Sequence, residues 1–173
     1  MTVLRNDARR LAAPGGDPCW LVGLDTAFQG RADPDAALAR VPAGSCRIVL
    51  LHEPDGADAL ARRGVRADLL LAGHTHGGQV ALPGLGPILL PPLGRRYVRG
   101  CHATPAGPLY VSRGLGALPP FTRLGAPPEV VFLRCVGVCY PQRSCVMDGG
   151  ESEERQLGGV PAMRLNRGEE GRR

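Results

Sequence analysis

The residues best placed to do chemistry are histidines. Gly73-His74-Thr75-His76-Gly77-Gly78-Gln79 follows a run of leucines, and His52 closes the earlier apolar run Cys46–Leu51. The chain has four histidines, so three of them fall in these two places. Neutral imidazole is the commonest protein metal ligand and suits Zn, Fe, Ni and Cu. A single His after Gly is more often structural, capping a strand or bonding a backbone carbonyl. Here two histidine clusters each close a predicted buried strand, and flanking glycines let the backbone turn tightly beside a ligand. That coincidence favours ligands over structural histidines.

The elements that must position them read as α/β. Cys19–Asp25 and Cys46–His52 are short apolar runs of strand length, and Ala67–Gly73 is a third. Between them Asp33–Val41 reads as a helix with Asp33 as N-cap and Pro34 in its first turn. Gly56–Val65 reads as a second helix, closed by Gly64. Strand–helix alternation predicts a layered sheet with both faces covered. In such sheets ligands lie beyond the carboxyl ends of the strands, where His52, His74 and His76 all fall. From Leu82 to Gly100 the chain is rich in Pro and Gly and reads as a long loop or short hairpins. Gly107–Gly114 and Pro128–Val136 read as later, antiparallel strands. Residues 138–173 mix Gly, Glu and Arg with little apolar periodicity and read as a disordered or weakly ordered tail.

Composition narrows the function. The 173 residues suffice for one domain with a core. All 21 basic residues are Arg, and the net charge is +5. The arginines form no dense block, so nucleic acid is not expected as a partner. None of the six cysteines has Cys-x-x-Cys spacing, and Cys46 and Cys135 read as small buried hydrophobes. No signal peptide is visible and no stretch approaches ~18 apolar residues. The expected location is cytoplasmic or peripheral to the membrane.

"GHTHGGQV", preceded by "LLHEPD", resembles the calcineurin-like metallophosphoesterases, in particular a bacterial phosphodiesterase branch. "PCWLVGLDTAFQG", "LYVSRGLG" and "RLGAPPEVVFL" extend the resemblance over residues 1–136. It implies a four-layer αββα sandwich and two divalent metal ions of Mn, Fe or Zn type. His52 and His74 would hold one ion and His76 the other. The implied reaction is hydrolysis of a phosphodiester or phospholipid-type substrate by a metal-bridging hydroxide. Pro54 and Asp55 would shape the turn after His52, and Gly73, Gly77, Gly78 and Gln79 would line the loop. Arg113 and Arg123 either face a phosphate or form salt bridges. No catalytic residue beyond the metal ligands is identified.

The family pattern also has an Asp-x-His, a Gly-Asp with a bridging carboxylate and a Gly-Asn-His upstream. No His precedes His52, and Asn6 and Asn166 are not followed by His. Gly16-Asp17 matches two letters but follows no buried strand, and Asp25 ends a strand without a family role. The chain therefore resembles the C-terminal half of the catalytic domain, residues 1–137, followed by the tail. At most one weak metal site is expected from it alone, with little activity. The alternatives are a remnant that binds metal or phosphate without turnover, and a half-domain that needs its N-terminal half as a separate partner chain.

Overall fold

The computed structural model describes residues 2–12, 18–119 and 121–133. The expected tail over 138–173, the end of the strand expected over 128–136, and Asp17 lie outside them. Met1–Glu129 form one compact unit.

That unit is built on a six-stranded mixed sheet. In chain order its elements are β1 (Asp7–Leu11), β2 (Cys19–Gly23), α1 (Pro34–Leu38), β3 (Cys46–Leu50), α2 (Gly56–Arg62), β4 (Leu69–Ala72), a 3-10 turn at His76–Gly78, β5 (Ala81–Leu82), β6 (Gly86–Pro87), β7 (Gly100–Thr104) and β8 (Gly107–Val111). The sheet order is β1-β2-β3-β4-β8-β7. The inner four strands run parallel, and β1 and β7 flank them antiparallel. β5 and β6 make a separate small hairpin.

The register explains the core. Ala8, Val22, Val49, Leu70, Leu109 and His102 are successive partners across all six strands. Side chains in register share a face, so this row and its neighbours two residues on form one surface. Val22, Val49, Leu51, Leu70, Ala72, Leu109 and Val111 on it pack with Ala37 of α1, Ala57 and Leu60 of α2, and Tyr97. Each such Val or Leu contributes roughly 1.5–3 kcal/mol by leaving water. The opposite face carries Leu21, Ile48, Leu50, Leu69, Leu71 and Tyr110, in register with one another.

Both expected helices form, and both stop early. Asp33 caps α1 by accepting from the amides of Asp35 and Ala36. The helix ends at Leu38 rather than Val41, because Pro42 disfavours helical geometry at the residue before it. α2 ends at Arg62, with Gly64 beyond it at φ +73°. The amides of Gly64 and Val65 fold back onto the carbonyls of Ala61 and Leu60, which is how a glycine stop closes a helix. β8 is only half as expected: it is antiparallel to β7 but parallel to β4. Over residues 128–133 no strand forms. Glu129 is instead drawn into a pair with Arg113, whose backbone and guanidinium both bond its carboxylate. Strands β1 and β7 were not legible, since Asp-Ala-Arg-Arg-Leu and Gly-Cys-His-Ala-Thr lack an apolar run.

Candidate metal centre

The parallel quartet brings its carboxyl ends to one edge, so Asp25, His52, His74 and Arg113 each follow a strand there. Backbone bonding continues past the strands: Leu51 N–H donates to the Leu71 carbonyl, and Gly73 N–H to the His52 carbonyl at 3.2 Å. This ties the two histidine loops together.

His74 Nδ1 and His52 Nε2 lie 3.1 Å apart, with the ring centroids at 4.7 Å and the planes tilted by 60°. The other nitrogen of His74, Nε2, is 2.9 Å from the Pro92 carbonyl. A carbonyl can only accept, so Nε2 carries the hydrogen and Nδ1 presents its lone pair toward His52. Fixing a ligand's tautomer through a backbone carbonyl is the usual outer support of a metal-binding histidine. Two nitrogens on one tetrahedral zinc-like ion at ~2.0–2.1 Å would stand about 3.3 Å apart. The pair therefore fits two positions of one cation's coordination shell.

His76 stands differently. Its Nδ1 is buried and has no hydrogen-bond partner among the described residues. Burial and the nearby Arg123 cation hold the ring below the ordinary imidazole range, against the raising effect of a hydrogen bond that the ring donates to Gln79. The neutral ring thus keeps a lone pair. No group of three or more His, Cys, Asp and Glu gathers to hold an ion among the described residues. A single site built from all three histidines is therefore not formed: His52 and His74 meet, and His76 does not complete the group.

The loop is strained where the chemistry lies. His74, His76 and Gln79 have φ of +68°, +52° and +46°, interleaved with Gly77 at +66° and Gly78 at +86°. Left-handed non-glycine residues cost of order 1–3 kcal/mol each and persist when the surroundings over-determine them. The surroundings do so. Thr75 is buried and donates to the Val98 carbonyl at 2.6 Å while accepting from Gly77 N–H. A Cβ on Gly77 would sit 2.6 Å from Arg113 Cγ, and one on Gly78 would sit 2.3 Å from Pro87 Cβ. Gln79 closes the loop with its amide, donating to the Leu118 carbonyl and accepting from Leu118 N–H. A Cβ on Gly73 would meet nothing, so its contribution is its N–H to His52.

Both arginines have partners within the protein. Arg113 forms a two-pronged pair with Glu129 at 2.8 and 2.6 Å, with both side chains largely shielded. Arg123 is spent on the carbonyls of His76, Arg113, Gly116 and Ala126. Asp25 pairs with Arg5 and caps Thr26 N–H. Asn6 clips the same loop, accepting from the amides of Asp25 and Asp33.

Two carboxylates beside His52 do more than the sequence suggested. Glu53 is 2% exposed. It accepts from the Thr26 hydroxyl and from the amides of Ala27 and Phe28, pinning the β2 exit loop against the His52 turn. Burial acts to raise its pKa, and those hydrogen bonds outweigh it, leaving the carboxyl below the ordinary glutamate range. Pro54 is fully buried behind it. Asp55 accepts from three consecutive amides, Arg95, Arg96 and Tyr97, and its own N–H donates to the Leu93 carbonyl. It thereby sets the loop that carries Pro92 to His74. Gly94 packs against Thr75 and His74 in the same loop. The Pro92 carbonyl has no sequence signature. The acidic pair flanking Pro54, between a strand-ending His and a helix, was the available signal for Glu53.

Comparison with known proteins finds relatives of similar sequence. The chain is 39% identical over 129 residues to a Bacillus subtilis protein named uncharacterized metallophosphoesterase YkuE, covering 75% of this chain and 44% of that one. It is 38% identical over 137 residues to the Escherichia coli protein named phosphodiesterase YaeI, covering 79% and 48%. To the B. subtilis protein named uncharacterized metallophosphoesterase YkoQ it is 32% identical over 133 residues, covering 75% and 47%. The chain thus spans about half the length of these relatives. No family model matches it, and no solved structure does.

Proposed function

The chain belongs to the calcineurin-like metallophosphoesterase family, and from that membership we propose that it serves metal-dependent hydrolysis of a phosphodiester. It would contribute His52, His74 and His76 to the site. The observation that carries this reading is the His74–His52 contact at 3.1 Å, with His74 held in one tautomer by Pro92. Divalent ions, when bound, lower the pKa of water and polarise a phosphoryl oxygen. The residues of this chain hold and orient. His52 and His74 offer two nitrogens to one ion, His76 offers a neutral buried nitrogen, and Glu53 and Asp55 fix the turns that bear them. The name of the E. coli relative favours a phosphodiester over a monoester; a phospholipid-type diester falls within the same chemistry.

A catalytic zinc-type ion takes three protein ligands, and the described residues bring two together. We therefore propose that the remaining ligands, including a carboxylate between the ions, come from polypeptide outside this sequence. The chain alone then binds at most one ion weakly and turns over little substrate. The test is hydrolysis of bis(p-nitrophenyl) phosphate with added Mn²⁺. It would use the chain alone, the chain mixed with a polypeptide bearing the family's Asp-x-His and Gly-Asn-His segments, and the same mixture with His74→Ala. Activity in the mixture that His74→Ala abolishes is expected. Full activity in the chain alone would contradict the incomplete-site reading. An inactive mixture that still binds Mn²⁺ would favour a non-catalytic, metal-binding remnant.

A further inference from the structure

We infer that Cys19 and Cys46 form a redox-active dithiol, a modification site at the end of the sheet opposite the histidines. They are direct register partners at the amino ends of the parallel strands β2 and β3. Adjacent strands lie ~4.7–4.9 Å apart, inside the Cα separation of ~4.4–6.8 Å that a disulfide spans. Their side chains leave the same face, and the two sulfurs are in contact at 2.7 Å. Both residues are partly exposed, so a small oxidant can reach them. The bond would join β2 to β3, whose far ends lead to the Glu53–Ala27 contact and to His52.

The chemistry balances with a low-molecular-weight disulfide such as oxidised glutathione as oxidant. One cysteine thiolate attacks a glutathione sulfur and displaces one glutathione thiolate. The second cysteine thiolate then attacks the protein sulfur of that mixed disulfide and displaces the other. The protein dithiol is oxidised by two electrons, the glutathione disulfide is reduced, and the two thiol protons end on the two released glutathiones.

The experiment uses the full chain. It is incubated with oxidised glutathione, quenched with N-ethylmaleimide and digested with trypsin without reductant. Cleavage at arginine places Cys19 in the peptide 11–31 and Cys46 in the peptide 41–47, and neither peptide holds another cysteine. The expected result is one linked species joining these peptides, lighter by two hydrogens than their sum, and a melting temperature raised over the reduced chain. Cys46→Ser removes both effects. Maleimide on both cysteines after oxidation, or linkage of either to Cys101 or a later cysteine instead, would overturn the inference. The peptide map is read on the unmutated chain, so a poorly folding variant does not blunt it.

Discussion

At the scale of single residues, the proposed site depends on which nitrogen of which histidine is available. Pro92 fixes the hydrogen of His74 on Nε2, so long-range proton–nitrogen NMR at neutral pH is expected to show His74 as the Nε2–H tautomer. An Nδ1–H tautomer would remove the lone pair from the site. Gly77 answers a different need. It combines φ +66° with a 2.6 Å approach to Arg113 from any added Cβ. Gly77→Ala should therefore cost about 1–3 kcal/mol, measured by urea unfolding. The equivalent change at Gly73, where nothing stands in the way, should cost markedly less.

At the scale of elements, two carboxylates set the loops around the site. Asp55 holds three consecutive amides, so Asp55→Ala should cost about 1–3 kcal/mol. It should also speed tryptic cleavage after Arg95 and Arg96; unchanged cleavage would mean the loop is held by other contacts. Glu53 makes a pH prediction. Its folded pKa lies below its unfolded value. The stability it contributes is present above the unfolded pKa and is lost as pH falls through the folded one. Melting temperature should therefore drop as pH is lowered through and below the usual glutamate range, and Glu53→Gln should flatten that drop. Glu129, held low by Arg113 against its own burial, acts in the same direction. These elements also show what a sequence can and cannot carry. Asp33, Pro34 and Gly64 are local signals, and the helices they bound formed. Glu53 and Asp55 act on partners far along the chain: the acidic pair flanking Pro54 is a local signal, but the partners, Ala27 for Glu53 and Tyr97 for Asp55, are set by tertiary packing. Arg113 and Arg123 read equally as phosphate ligands or as ion pairs, because the deciding neighbours, Glu129 and the Gly116 carbonyl, are set by tertiary packing.

At the scale of the molecule, a mixed sheet delivers His52 and His74 to one edge, and the apolar run before each histidine made that placement legible. The flanking strands β1 and β7 were hidden because neither carries an apolar run. Among the described residues no helix is long and apolar enough to cross a membrane. The proposed sharing of one divalent ion by His52 and His74 is tested by titrating the chain with Co²⁺, followed by visible absorption and calorimetry. No more than one ion per chain is expected, with affinity falling more than about tenfold on losing either ligand, in His52→Ala or His74→Ala, and unchanged in His102→Ala. Binding that survives both substitutions, or no binding at millimolar Co²⁺, would contradict it.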